Sequence, residues 1–299
     1  MASGSTSAPQ DVLDLVALTP LMAESSGRPE IAIGLVDGPV VLDHADLAAG
    51  NVREVATKAG AICARADSFA CQHGTFVAGI LCARRGSAAP AIAPACTLLV
   101  RPIFPESVPV HETVPSASPE QLASAIVECI DAGARVINLS AALAVMPNAK
   151  GERVLGQALD HAAHRGVIVV AAAGNQGWVG STAITEHRWV IAVAACDSRG
   201  SPLALSNLGS TIGRWGLMAP GKNITSLGTN GGTVTAGGTS VAAPFVTGAI
   251  ALVWSRFPDA SAGRLRMAVT RAHAQRRRTV VPALLNAWAV HVAMASRAM

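Results

Sequence analysis

Ile31-Ala32-Ile33-Gly34-Leu35-Val36, closed by Asp37-Gly38-Pro39, is the stretch that decides the fold. An unbroken apolar run rich in β-branched residues fits a strand covered on both faces, which is how parallel sheets are buried. Asp-Gly-Pro stops it abruptly. Comparable runs recur at 97–100, 134–139, 167–173 and 190–195, separated by helical segments such as 119–131 and 152–164. That alternation predicts an α/β fold of three layers, a mainly parallel sheet with helices on both faces. In such sheets ligands bind beyond the carboxyl ends of the strands, so the residues that end each run are the first to inspect.

Asp37 ends the first run. Asp43 and Asp46 also lie nearby but in the following loop, so Asp37 is the better candidate for a carboxylate at the sheet edge. The 167–173 run ends in Gly174-Asn175-Gln176-Gly177, where the Asn175 amide is placed to donate to an oxyanion. Gln72-His73-Gly74-Thr75-Phe76-Val77-Ala78-Gly79-Ile80 reads as a base at the start of a buried helix, its small residues allowing close packing. Gly237-Gly238-Thr239-Ser240-Val241-Ala242-Ala243-Pro244 reads as a nucleophile at a tight turn into a second helix, running through Leu252. A serine hydroxyl needs a base to take its proton, and the base needs a carboxylate to orient it. Ser240, His73 and Asp37 supply those three types.

Asp37-Gly38, His73-Gly74-Thr75, Gly174-Asn175 and Gly238-Thr239-Ser240 followed by Pro244 stand in the order and contexts of the subtilisin-like serine proteases, which the chain resembles from about Ile31 to about Val290. Val136-Ile137-Asn138-Leu139-Ser140 resembles the family's strand beside the substrate cleft, and Leu217-Met218-Ala219-Pro220-Gly221 its turn before the nucleophile. The resemblance implies that Ser240 attacks, His73 is base and then acid, Asp37 orients it and Asn175 stabilises the oxyanion. It also implies an extended peptide lying along Ser140-Ala141-Ala142 and part of 101–105, with Ala141, Ala142, Ala172, Ala173 and Gly174 walling the pocket for the residue before the cleaved bond. Phe76, Val241, Ala243 and Phe245 depart from the residues usual in secreted members and are expected to change packing only. Asp46 matches a calcium ligand of some members, but 83–90 lacks the loop that would complete such a site, so no metal and no cofactor are expected.

Composition points to one large soluble domain, and the resemblance implies a catalytic domain over 25–299, preceded by an N-terminal extension and first helix, 1–24. Apolar residues make up 51% of the 299 and charged ones 14%, yet no apolar stretch reaches the ~18 residues a membrane span needs. The net charge of +4 gathers near Arg264, Arg266, Arg271 and Arg276-Arg277-Arg278, with no nucleic-acid motif beside it, so neither nucleic acid nor membrane is an expected partner. Residues 104–118, proline-rich and carrying Glu106 and Glu112, read as a loop lining the cleft. Cys63, Cys71, Cys82, Cys96, Cys129 and Cys196 lack paired spacing and are expected to be reduced, with Cys71 worth watching two residues before His73.

Met1–Gln10 carries no basic cluster or apolar core of an export signal, and little room precedes Ile31 for a folded pro-domain, so the expected setting is the cytoplasm. Val36–Val40, Cys96–Phe104 and Pro282–Ala289 resemble the subtilisin-like maturation proteases of cyanobactin and bacteriocin pathways. The implied function is a serine endopeptidase that processes a ribosomally made precursor peptide through an acyl-enzyme. Its partners would be that peptide or precursor protein, with other pathway proteins. Two alternatives stand beside it, a peptide macrocyclase and a non-catalytic precursor-binding protein. The former is disfavoured because macrocyclising relatives carry a helical insertion between the Asp and His segments, and only 35 residues lie between Asp37 and His73.

Overall fold

The computed structural model describes residues 9–47, 51–55, 63–106, 117–140, 149–271 and 279–296. Two short helices, α1 (Pro9–Leu15) and α2 (Leu18–Glu24), lead into β1 (Ile33–Asp37) and β2 (Val52–Glu54). Next come α3 (Phe69–Cys82), β3 (Leu98–Pro102), α4 (Pro119–Asp131), β4 (Val136–Leu139), α5 (Ala149–Arg165) and β5 (Ile168–Ala172). They are followed by α6 (Ala183–Glu186), β6 (Val190–Cys196), α7 (Ser210–Trp215), β7 (Leu217–Pro220), β8 (Ile224–Leu227) and β9 (Thr233–Ala236). The chain closes with α8 (Thr239–Arg256), α9 (Ala262–Arg271), β10 (Ala283–Leu284) and α10 (Ala287–Ala295).

The sheet runs β10-β7-β6-β5-β4-β1-β3-β2, every neighbouring pair parallel, and β8 and β9 form a separate antiparallel hairpin. Alternate side chains of each central strand enter opposite cores. Ile33, Leu35, Ile168 and Val170 pack with Phe76, Ile80, Val246 and Ile250 of α3 and α8. Val36, Ile137, Leu139 and Val169 pack with Leu122, Ile126, Leu155 and Leu159 of α4 and α5. Two covered faces leave no polar side, which is why the sequence shows apolar runs rather than alternation. Helix α4 begins where its residues dictate, with a Ser118/Gln121 capping box and Pro119 in the first turn.

Helix α8 is apolar all round and lies across β4, β5, β6 and β7. Phe245, Ile250 and Leu252 are fully buried, each contributing about 1.5–3 kcal/mol of transfer free energy. Phe76, Val241, Ala243 and Phe245 are all buried, in accord with a packing role. Val12, Leu13, Val16, Leu18 and Leu21 of the N-terminal helices join the same core as α8, so residues 9–24 are integral to the fold rather than an appendage.

From β1 the chain moves out to the edge strand β2, then returns through β3 and past β1 to β4, so β1 has β3 on one side and β4 on the other. Asp37 therefore ends the strand beside the switch point, where the loops on either side diverge and open a crevice. Helix α3 crosses that end so closely that a Cβ on Gly38 would lie 1.9 Å from the Ala70 carbonyl oxygen, and one on Gly74 2.4 Å from those of Gly38 and Pro39. Both glycines are needed because nothing larger fits between the strand end and the helix.

Candidate active site

Three side chains from three elements converge at the crevice. Asp37 is completely buried at the end of β1, and its Oδ1 accepts the Gly38 N–H at 2.6 Å. The same oxygen lies 2.7 Å from His73 Nδ1, one turn into α3. His73 Nε2 lies 3.0 Å from Ser240 Oγ in the first turn of α8. Burial of His73 alone would lower its pKa, but the Asp37 charge and hydrogen bond outweigh it and hold the imidazole above its ordinary 6.5. Phe69, half exposed, stacks on the His73 ring with centroids 5.8 Å apart. Sequence reading missed this ring, although its place one turn before His73 on the same helix was a usable signal.

A second network joins Asn175 to the start of α8. Asn175 Oδ1 accepts the Thr239 N–H at 2.9 Å and the Thr239 hydroxyl at 3.0 Å, which aims Nδ2 outward with no partner among the described residues. The Ser240 N–H is likewise unbonded there, as expected of a first-turn amide. Thr239 Oγ1 also accepts the Gly174 N–H at 3.1 Å, tying the end of β5 to the start of α8. Buried Asn207 props the loop from behind, its Oδ1 accepting the Gln176 N–H at 3.0 Å and its Nδ2 donating to Gln176 Oε1 at 2.6 Å. Gly174 must be glycine here, since φ is +105° and a Cβ would lie 2.3 Å from Asn207 Nδ2. Thr239 and Asn207 were not singled out from sequence because only the folded loop brings them to Asn175. Asn175→Ala is expected to lower kcat by about 10²–10³-fold with KM little changed, measured on any cleaved peptide.

The Ser140 side chain has partners of its own, beside the peptide contact expected of its backbone. Pro244 has no N–H to give the Ser240 carbonyl four residues earlier, and the Ser140 hydroxyl approaches that carbonyl at 3.4 Å instead. Ser140 Oγ is itself held by Asn138 Nδ2 at 2.6 Å, and Asn138 Oδ1 accepts Thr247 Oγ1–H at 2.8 Å. The Ser140 hydroxyl thus supports the first turn of α8, and its N–H donates to the Val36 carbonyl at 3.4 Å. Ala172, Ala173 and Gly174 are buried at the carboxyl end of β5, small and uncharged as expected, while Ala141 and Ala142 lie outside the described residues.

Several expectations need correction. Cys63 and Cys71 form a disulfide, while Cys82, Cys96, Cys129 and Cys196 are buried free thiols. The eight-residue spacing gave no hint because the intervening chain must fold back before the sulfurs meet. Glu106 does not offer a free carboxylate to a substrate, since it accepts the Ala64 and Arg65 N–H groups at 3.1 and 2.9 Å; Glu112 lies outside the described residues. Nor are all the arginines of α9 solvated. Arg264 donates to the Met294 carbonyl, and Arg266 donates to the carbonyls of Trp189 and Arg188; Arg276, Arg277 and Arg278 lie outside the described residues. Asp46 pairs with the Arg84 guanidinium at 2.9 Å, a donor set of the wrong charge for calcium.

Residues 28–286 match the Subtilase family, Peptidase_S8. The chain belongs to the subtilase family. This subtilase is 29% identical over 262 residues to Subtilisin DY of Bacillus licheniformis, covering 85% of this chain and 87% of that protein. Among solved structures it is similar to the Patellamide maturation protease PatA, with 30% identity and a TM-score of 0.75, covering 90% of this chain and 98% of the other. It is also similar to the Prenylagaramide maturation protease PagA, with 26% identity and a TM-score of 0.77, covering 93% and 98%. It is a subtilisin-like serine protease of the α/β class, and no helix among the described residues is long and apolar enough to cross a membrane.

Proposed function

We propose that this subtilase is an endopeptidase that trims a ribosomally made precursor peptide, with Ser240 as nucleophile, His73 as base and then acid, and Asp37 as its orienting carboxylate. The observation that carries it is the unbroken line of contacts, 2.7 Å from Asp37 to His73 and 3.0 Å from His73 to Ser240. The second distance is within reach of proton transfer, and the first fixes the orientation of the imidazole. Ser240 attacks the scissile carbonyl as His73 takes its proton. The charge that forms on the carbonyl oxygen is met by Asn175 Nδ2–H and the Ser240 N–H, two preorganised donors. His73 then protonates the leaving amine, and water resolves the acyl-enzyme by the same steps in reverse.

Similarity to PatA and PagA supports a precursor peptide as substrate. The short spacing of 35 residues between Asp37 and His73 supports water rather than an amine as the acyl acceptor. Small uncharged walls at Ala172, Ala173 and Gly174 favour no charged side chain before the cleaved bond. A peptide-library profile is expected to show no arginine or aspartate requirement there, with linear products and with activity unchanged by EDTA. A strict demand for a charged residue, or cyclic products, would overturn this reading.

A further inference from the structure

The Cys63–Cys71 disulfide lies near the triad and has no part in the reaction. Cys71 is fully buried in the first turn of α3, two residues before His73, whereas Cys63 is partly exposed. Cys63 also faces a surface cavity of about 330 Å³ that it lines with Val40, Val41, Leu42 and Asp43. The other four cysteines are buried, and burial pushes the thiols of Cys129 and Cys196 up to about 12, so they are inert bystanders. One disulfide therefore stands beside four thiols that remain reduced, with one of its sulfurs reachable by a small reagent.

Its cross-link bears on the base. The segment 63–68 leads directly into α3, where Ser68 Oγ caps the helix by accepting the Cys71 N–H at 3.2 Å. Phe69, next in the chain, stacks on His73. Besides the disulfide, the segment is held by Glu106 at the Ala64 and Arg65 N–H groups and by Thr229 Oγ1 donating to the Ala66 carbonyl at 2.6 Å. Ser68 Oγ also lies 3.5 Å from Glu106 Oε1, but all of these ties are hydrogen bonds open to exchange with water, and the disulfide is the covalent one.

We propose that Cys63–Cys71 is a thiol-exchange site through which a small dithiol slows this protease. A thiolate of the dithiol attacks Cys63 Sγ, the Cys63–Cys71 bond breaks, and Cys71 leaves as a thiolate that takes up a proton. The second thiol of the reagent then attacks the mixed disulfide, leaving as the cyclic disulfide and freeing Cys63 as a thiol. Two electrons pass from reagent to protein, and two protons end on the cysteines. A disulfide oxidant such as oxidised glutathione reverses the exchange. Reduction frees the chain leading into α3, loosening the Ser68 cap and the Phe69 ring that steadies His73. Both cysteines act as positioning residues, through His73.

The test measures kcat/KM of the whole chain on one cleaved peptide across a series of reduced-to-oxidised dithiothreitol ratios, with total thiols counted in denaturant and EDTA present. The oxidised protein should show four thiols and the reduced protein six. The expected loss of kcat/KM on reduction is about tenfold, smaller than the ~10²-fold that a 1 Å misplacement of a catalytic group costs. Its midpoint should coincide with that of the thiol count, and oxidised glutathione should restore the rate. Cys63→Ser should sit at the low rate and ignore dithiothreitol, with a melting curve showing that it folds; reduced wild-type protein tests the same state without substitution. Six thiols after treatment with oxidised glutathione, or equal kcat/KM in both states, would overturn the proposal. The reading rests on the triad, so labelling of Ser240 by a phosphonate is followed in parallel. Equal labelling in both states removes only the exchange site, whereas no labelling in either removes the assigned catalytic roles as well.

Discussion

Ser240→Ala is expected to lower kcat on any cleaved peptide by about 10⁶-fold, as loss of the nucleophile in such a triad does. The substitution removes one oxygen that points at His73 Nε2 and is otherwise only half buried. Alanine suits the first turn of α8, and the Asn175–Thr239 bonds that shape the turn do not involve the lost hydroxyl. The melting temperature should therefore be unchanged, which separates chemistry from folding. His73→Ala should cost a similar factor, and the double variant no more than either alone, because the two groups act as a unit. A serine-directed phosphonate should modify Ser240 in the wild type, located by mass spectrometry of the digested protein, and should modify neither variant. Full activity in Ser240→Ala, or modification of a different serine, would refute the assignment.

Asp37→Asn carries the second-largest expected effect, about 10⁴-fold in kcat, together with a displaced pH profile. The carboxylate is fully buried and is shared between the Gly38 N–H and His73 Nδ1. Removing its charge deprives the imidazolium formed in the transition state of its counter-charge. His73 is a base only when neutral, so kcat/KM in the wild type should fall as pH drops through the raised His73 pKa, above 6.5. With asparagine at position 37, the burial that lowers the pKa is no longer opposed, and the acid limb should move to lower pH. Stability runs the other way. A folded pKa above the unfolded one means that the pair stabilises the protein fully below the unfolded value and loses that contribution as pH rises through the folded one. Rate–pH profiles and melting curves on the same two proteins check both signs. An acid limb that stays in place or moves upward would show that Asp37 does not set the His73 titration.

What the sequence by itself determined is what local pattern encodes. Doubly covered strands leave unbroken apolar runs, so β1, β4, β5 and β6 lie where those runs predict them. Helix α4 spans Pro119–Asp131 as its periodicity, Ser118 cap and Pro119 require. Asp37, His73, Asn175 and Ser240 were legible because each sits at a strand end or helix start marked by glycines that permit tight turns and close approach. What only the tertiary structure decided are contacts between residues far apart in the chain. Ser140 reaches the Ser240 carbonyl across 100 residues, Asn207 reaches Gln176 across 31, and Glu106 holds Arg65 across 41. Each consists of a donor and an acceptor that have many possible partners in an extended chain and one in the folded one. Local sequence registers a residue's own conformational preference; it does not register which backbone group will be left unbonded when Pro244 removes an N–H, or which loop will bring Cys63 back to Cys71. The groups proposed to react lie on elements that the sequence announces, and the groups that hold them in place are selected by the packing of those elements against one another.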